Sequence, residues 1–119
     1  MNRLTIENSL KDLNNLVQQG RLMDAFEKYY HEEVAMQENS NAPVIGKDAN
    51  RQREIEFLNN IQEFRGASVN GQAVGDDISF VIWSYDYTHK EWGVKNYTQV
   101  SVQKWKDGKI ITEQFFYGN

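Results

Sequence analysis

Apolar residues recur every three or four positions through three stretches of the chain, which predicts three helices. The first runs over residues 4–17 and is ended by Gly20. The second covers about residues 22–30. The third runs from residue 47 to about residue 65, with Gly46 and Asp48 as candidate N-terminal caps. Its buried stripe combines two polar residues with three apolar ones: Asn50, Glu54, Phe57, Ile61 and Phe64.

Elsewhere the polarity alternates with a period of two, which predicts β-strands. A short strand is predicted over residues 31–39, and a loop with the chain's one proline follows it. Longer strands are predicted over residues 68–75, 78–88, 93–105 and 109–117. Asp107-Gly108 is a strong turn signal, so the last two strands should form a hairpin. Helices followed by an antiparallel meander are typical of an α+β fold, here a single domain over residues 1–119.

The alternation also sorts the closing hairpin into two faces, because successive side chains of a strand point to opposite sides. One face is aromatic with a few polar groups, as in a pocket wall; it carries Tyr97, Gln99, Ser101, Gln103, Trp105, Ile111, Glu113, Phe115 and Tyr117. The opposite face joins the outer face of the preceding strand in an apolar surface that no predicted helix covers. That surface carries Ile78, Phe80 and Ile82 from the strand over residues 78–88, and Val100, Val102, Ile110 and Phe116 from the hairpin. A patch of that kind predicts an isologous homodimer.

Composition narrows the class of protein further. Three Trp, six Tyr and six Phe are many for 119 residues and indicate a large cavity, an interface or both. A net charge of −4 with scattered basic residues argues against a nucleic-acid surface. The absence of cysteine excludes disulfides and thiol nucleophiles. No leader or long apolar run is visible, so no membrane association and a soluble, cytoplasmic protein are expected.

Three short stretches give the chain a family resemblance. They are Met36-Gln-Glu-Asn39, Gly46-Lys47 with Asn50 and Glu54, and the hairpin from Trp105 to Tyr117. Together with the helix and strand order, they resemble the SnoaL-like (polyketide cyclase-like) branch of the nuclear transport factor 2-like superfamily. The resemblance implies a cone-shaped α+β barrel, three N-terminal helices against a strongly curved, mostly antiparallel sheet, usually dimeric through the outer sheet face. The superfamily includes polyketide cyclases, ketosteroid isomerases, dehydratases, epoxide hydrolases and non-catalytic domains, so function must be argued from the site.

On that fold, strand parity becomes a map of the pocket. Its predicted lining is aromatic with two carboxylates and several neutral hydrogen-bonding groups, which suits a small hydrophobic organic ligand. The predicted substrate-binding residues are Trp83, Tyr85, Tyr87, Gln99, Ser101, Gln103, Trp105, Phe115 and Tyr117, with Val81 on the same face. The predicted catalytic residues are Glu38 and Glu113.

Each carboxylate has a functional and a structural interpretation. By the resemblance, Glu38 occupies the strand position of the general base in ketosteroid isomerases; the alternative is a strand-end glutamate bonded to backbone or to Asn50. Desolvation among aromatic rings raises the pKa of a carboxyl group toward the range useful for proton transfer. Glu113 is either the second acid of a pair or a buried polar anchor. Asn50 and Glu54 have the same two interpretations. A polar pair at the start of a buried helix face more often fixes the helix to the sheet than takes part in a reaction.

Other chemistries receive less support. The positions that correspond to the isomerase oxyanion donors, by the resemblance, are Leu13 and Ser101, which disfavours steroid-type enolisation. His31 and His89 are interpreted as solvated surface residues. No metal-ligand spacing, phosphate-binding loop or dinucleotide motif is present, so no metal and no cofactor are expected.

Two functional classes therefore stand at this point. The first is an acid–base isomerase, cyclase, dehydratase or hydrolase that needs no cofactor and acts on a hydrophobic, oxygen-bearing substrate. The second is a non-catalytic dimeric domain that binds a ligand or serves as an accessory module. The sequence does not choose between them and does not name a substrate.

Overall fold

A computed structural model describes residues 2–118, which form three helices and one six-stranded sheet. The helices are α1 (Arg3–Gln18), α2 (Leu22–Tyr29) and α3 (Lys47–Asn59). The strands are β1 (Tyr30–Glu38), β2 (Val44–Ile45), β3 (Ile61–Gly75), β4 (Ile78–His89), β5 (Gly93–Lys106) and β6 (Lys109–Tyr117). The α+β class predicted from the sequence is confirmed.

The sheet has the order β2-β1-β6-β5-β4-β3. All neighbouring strands are antiparallel except β1 and β6, which run parallel. Three register shifts interrupt the pairing of β3 with β4, and such bulges bend a sheet and increase its twist. The long strands therefore curve around the helices, and the core lies between them. That core consists of apolar residues from α1, α2 and the concave sheet face, among them Ile6, Leu10, Phe26, Val34, Met36, Val81, Trp83 and Ile110. No helix in the described part of the chain is long and apolar enough to cross a membrane.

The predicted length of the third helix is wrong. The helix ends at Asn59, and residues 61–66 already belong to β3, where Phe64 pairs with Tyr87 and is 46% exposed. The amide of Asn60 donates to the carbonyl of Glu56 at 2.8 Å, which satisfies one carbonyl of the last turn. Apolar residues three apart fit either a helix or a bent strand, and pairing with β4 decides between them.

The predicted side of Ile110 and Ile111 is also wrong. A register shift after Lys104 pairs Trp105 directly with Ile110, so both side chains point into the core, where Ile110 is fully buried. Ile111 turns outward and lines a shallow hollow beside Ile78 instead. One extra residue in a strand reverses the parity beyond it, and the sequence pattern gave no sign of this bulge. The predicted Asp107-Gly108 turn is present, with positive φ at both residues as a type I′ turn requires.

His89 corrects a further prediction, because it is a buried residue with only 3% of its surface exposed. Its ring stacks on that of Trp92, with centroids 3.8 Å apart. Its Nδ1 accepts the backbone N–H groups of Glu91 at 3.1 Å and Trp92 at 3.3 Å. The imidazole thus caps the turn between β4 and β5, a role that explains its burial.

Candidate functional site

A cavity of about 1310 Å3 lies between α3 and the concave face of the sheet. Its mouth is marked by Trp92 and Val94, which are 53% and 73% exposed. Most residues predicted from strand parity line it: Glu38, Trp83, Tyr85, Tyr87, Gln99, Ser101, Gln103, Glu113, Phe115 and Tyr117. Leu13 of α1 and Phe26 of α2 add apolar surface. The cavity exceeds the volume of ordinary small-molecule sites, roughly 300–1,000 Å3, so an organic ligand has room.

Trp105 and Val81 are the exceptions among the residues predicted on the pocket face, because neither lines this cavity. Both are in the core, where Val81 is fully buried and Trp105, 3% exposed, packs edge-on against Tyr29 of α2. Its Nε1–H donates to the hydroxyl of Ser79 at 2.8 Å.

Glu113 is buried in the cavity wall and accepts two hydrogen bonds. The hydroxyl of Tyr30 donates to Oε1, and the amide of Gln103 donates to Oε2 at 2.8 Å. Burial raises the pKa of Glu113 to about 7, although both hydrogen bonds act to lower it; the charge of Glu38 adds to the rise. The carboxyl is therefore anchored as a structural residue would be, and it still titrates near neutral pH.

Glu54 was interpreted from the sequence as a residue that, with Asn50, more often fixes a helix to a sheet, but the structure places it in the cavity lining. It projects from α3 into the same cavity and accepts no hydrogen bond from any residue in the range 2–118. Its side chain is partly accessible, because it faces the cavity, but protein surrounds it. Burial raises the pKa of Glu54 to about 7, the charges of Glu113 and Glu38 raise it further, and Arg53 opposes them. An unpartnered carboxyl that faces a cavity is free to bond to a ligand.

The predicted structural role of the Asn50–Glu54 couple belongs to Asn50 alone. The buried Nδ2 of Asn50 donates to the carbonyls of Val34 (3.3 Å), Val44 (3.0 Å) and Gly46 (2.9 Å). These bonds tie the start of α3 to β1 and β2. They also fix the direction of the helix and hence the position of Glu54, one turn further along.

Glu38 lies at the end of β1 in the cavity lining, and its side chain is 32% exposed. The guanidinium of Arg53 approaches its carboxylate at 3.8 Å. Burial, followed by the charge and hydrogen bond of Glu38, raises the pKa of Tyr117 to about 12. The most strongly enclosed carboxyl pair is thus Glu54 with Glu113, whereas Glu38 is the more solvated third acid.

Aromatic rings and hydroxyls complete the walls. Trp83 stacks on Tyr85 with centroids 5.5 Å apart, and the hydroxyls of Tyr87 and Tyr97 are 2.9 Å apart. Burial and the nearby carboxylates raise the pKa of Tyr85 well above its usual value, so this phenol stays protonated and can donate. Tyr97 belonged to the predicted inner face but not to the predicted site. Tyr30 was missed because it was assigned to a helix rather than to the first position of β1.

No group of three His, Cys, Asp or Glu side chains within residues 2–118 is arranged to hold a metal ion. The site instead has two carboxyls with raised pKa values. Glu113 accepts hydrogen bonds from Tyr30 and Gln103, and Glu54 accepts none from residues 2–118. Such a pair can hold one proton and pass it to or from a bound molecule.

A family model identifies the family of the chain. The model of the SnoaL-like domain matches residues 4–117, so the chain belongs to the SnoaL-like family. Among curated proteins, none matches the sequence significantly.

Solved structures agree with this assignment. A protein from Mesorhizobium loti is 33% identical to this chain and is named as a candidate SnoaL-like polyketide cyclase and as a carbohydrate phosphatase. The match covers 94% of this chain and 98% of that one, with a TM-score of 0.85. A candidate SnoaL-like polyketide cyclase from Jannaschia is 12% identical over 97% and 86% of the chains, with a TM-score of 0.81. A protein of unknown function with a cystatin-like fold, from Xanthomonas campestris, is 14% identical over 100% and 92%, with a TM-score of 0.82. The last two show the fold alone.

Proposed function

We propose that the protein binds a small hydrophobic, oxygen-bearing organic molecule in the cavity and performs acid–base chemistry on it. The reaction classes that fit are isomerisation, aldol-type cyclisation, dehydration and hydration. Each needs a proton delivered to an oxygen and a proton removed from carbon or water. The name of the Mesorhizobium loti relative, a candidate polyketide cyclase, is consistent with the cyclisation on this list.

The observation that carries the proposal is that the two enclosed carboxyls differ in their hydrogen-bond donors. Glu113 receives hydrogen bonds from Tyr30 and Gln103, which stabilise its ionised form. Glu54 receives none, and burial and the charge of Glu113 favour its protonated form. When the pair holds one proton, that proton therefore resides on Glu54, the carboxyl that lines the cavity without a protein hydrogen-bond partner among residues 2–118.

In this proposal, Glu54 donates its proton to a substrate oxygen and, once ionised, takes a proton from the substrate or from water. Burial and then the charge of Glu113 keep the pKa of Glu54 near neutrality, and Tyr85 and Gln99 supply neutral donors along the walls. Glu38 is a second candidate base at the end of β1, where its carboxylate lies 3.8 Å from the guanidinium of Arg53. Leu13 and Ser101 leave the cavity without strong donors at the isomerase oxyanion positions, so steroid-type enolisation stays disfavoured.

The test is a panel of hydrophobic ketones, enones and open-chain 1,3-diketones, with binding followed by quenching of Trp83 fluorescence and turnover by mass spectrometry. For a compound that is turned over, Glu54→Gln should lower the rate by roughly 100- to 10,000-fold and leave binding within a few-fold. Glu7→Gln, an exposed carboxylate on α1, is the matched control and should change neither. Binding without turnover across the panel, unaffected by Glu54→Gln, would instead support the non-catalytic ligand-binding domain.

A further inference from the structure

We propose that Ser79 and Trp105, which lie behind the cavity wall, are positioning residues that orient Gln103 and thereby keep Glu113 ionised. This inference rests on the proposed function for its purpose, although its test does not require a substrate. The hydrogen bonds run from Trp105 Nε1 to Ser79 Oγ (2.8 Å), from Ser79 Oγ to Gln103 Oε1 (2.6 Å) and from Gln103 Nε2 to Glu113 Oε2 (2.8 Å).

The sheet register builds this chain of contacts. Ser79 of β4 pairs with Gln103 of β5, and Gln103 pairs with Glu113 of β6, so the three residues form one row across three strands. Trp105 follows two positions after Gln103 on the same side of β5. Ser79, Gln103 and Trp105 are 0%, 1% and 3% exposed, so bulk water does not compete for their polar atoms.

The chain has only one consistent direction. An indole N–H is a donor and nothing else, so the hydroxyl of Ser79 must accept from Trp105. That hydroxyl then has its own proton to give, and the acceptor within reach is Gln103 Oε1. Once Oε1 is engaged, Gln103 must present its Nε2–H to Glu113. A reversed amide would place an oxygen against the carboxylate and leave a buried acceptor unpaired, at a cost of roughly 1–3 kcal/mol.

The consequence is a carboxylate that accepts on both of its oxygens. Gln103 bonds to Oε2, and Tyr30 of β1 bonds to Oε1. Three other titratable groups face this end of the cavity: Glu38 of β1, Glu54 of α3 and Tyr85 of β4. The charge of Glu38 opposes ionisation of Glu113, whereas the charge of Glu113 in turn raises the pKa values of Glu54 and Tyr85. α1 and α2 present apolar Leu13 and Phe26, and Arg53 compensates only on the side of Glu38 and Glu54. The orientation of Gln103 therefore acts together with Tyr30 to favour the ionised form of Glu113 and to leave the shared proton on Glu54.

The test is a pH titration of side-chain carboxyl carbons by NMR in ¹³C-glutamate-labelled protein without substrate. Glu54→Gln and Glu113→Gln assign the two resonances. Ser79→Ala should raise the titration midpoint of Glu113 by about one pH unit, because Gln103 loses the donor that fixes its amide. Trp105→Phe keeps the ring but removes the N–H, so we expect a smaller rise of the same sign. Ser84 is on β4, as Ser79 is, but its hydroxyl points outward and accepts a hydrogen bond from Asn70 of β3. Ser84→Ala should therefore leave the midpoint of Glu113 unchanged.

An unchanged Glu113 midpoint in folded Ser79→Ala would overturn the assignment. If that variant does not fold, an unchanged midpoint in Trp105→Phe overturns it equally. A rise in all three variants, Ser84→Ala included, would show a general effect of loosening β4 and would also count against it. Failure of the proposed function is a separate result, namely no ligand binding and no turnover, since the titration is read in the free protein.

Discussion

Glu54 on α3 and Glu113 on β6 line one cavity, and the charge of Glu113 is the second cause, after burial, that raises the pKa of Glu54. Glu113 has two protein donors and Glu54 has none among residues 2–118. This asymmetry makes one acid the holder of a negative charge and the other the holder of a proton.

Stability should fall as the pH rises from about 4.5 to about 7.5. The folded pKa values of Glu54 and Glu113 are raised from 4.5 to about 7, so the folded state retains protons that the unfolded state has already lost. Each group should contribute roughly 1–3 kcal/mol to the fall. The surface acids Asp12 and Glu27 have lowered pKa values and affect stability only below this interval. Urea unfolding at the two pH values measures the effect.

Glu54→Gln provides the check on that pH dependence, because a neutral amide cannot titrate. The variant should show a smaller loss of stability between the two pH values, whereas Glu7→Gln should show the same loss as the parent protein. A stability that rises over this interval and does not respond to Glu54→Gln would contradict the assignment of raised pKa values.

Tyr30→Phe should destabilise the fold by about 1–3 kcal/mol, because it removes a hydroxyl donor from the buried carboxylate of Glu113. The loss should be larger at about pH 8, where Glu113 is ionised, than at about pH 5. Urea unfolding at both pH values measures it. Tyr29→Phe is the matched control: its hydroxyl donates to Asp12, which is solvent-accessible, so its removal should cost less than removal of the Tyr30 hydroxyl. Equal losses for the two variants would argue against a special role for the buried bond.

Asn50→Ala should destabilise the protein by roughly 1–3 kcal/mol, because the buried amide that bridges the carbonyls of Val34, Val44 and Gly46 is lost, although Val34 and Gly46 keep backbone donors. Because these bonds fix the direction of α3, and α3 carries the cavity residue Glu54, ligand binding should weaken as well. Chemical unfolding gives the first quantity and fluorescence titration the second. Asn60→Ala removes a single amide bond at the other end of the helix and serves as the control. A loss no greater than that of Asn60→Ala would mean that Asn50 does not anchor the helix.

The outer face of the sheet should form a homodimer. Phe80, Ile82 and Phe116 are 38%, 41% and 43% exposed and are joined into one patch through the pairing of Val100 with Ile82 and Phe116. A stable dimer buries about 800 Å2 per partner, so the test is whether this face associates at all. Analytical ultracentrifugation should show a dimer at micromolar concentration and a monomer for Ile82→Glu. Leu4→Glu changes an exposed apolar residue on α1 and should remain dimeric; a monomeric parent protein would refute the expectation.

The closing hairpin shows how far the sequence could predict the structure. Asp107-Gly108 fixed the turn, and strand parity then placed Gln99, Gln103 and Glu113 on the cavity face where the structure has them. Parity failed next to the turn, because the bulge at Ile111 leaves no local mark in the sequence. Ile110 and Ile111 were misplaced for that reason, whereas Trp105 lies on the predicted side and is separated from the cavity by core packing that includes Tyr29.

The relative importance of the carboxylates could not be predicted for a different reason. Glu54 and Glu113 differ through partners that are distant in the chain: Tyr30 is 83 residues from Glu113, and Gln103 reaches it across the sheet. The helix stripe identified Glu54 and Asn50 as polar positions, but it could not show that Asn50 would bind three carbonyls while Glu54 bound none. The sequence could therefore identify the candidates, whereas their roles depend on tertiary contacts.

The most direct test of the central claim is the NMR titration of the carboxyl carbons of Glu54 and Glu113 in the unmodified protein. We expect both to titrate around pH 7, with Glu113 ionising first, and Glu113→Gln to lower the midpoint of Glu54 by removing its charge. Midpoints near 4.5 for both groups, as for an ordinary exposed glutamate, would contradict the account.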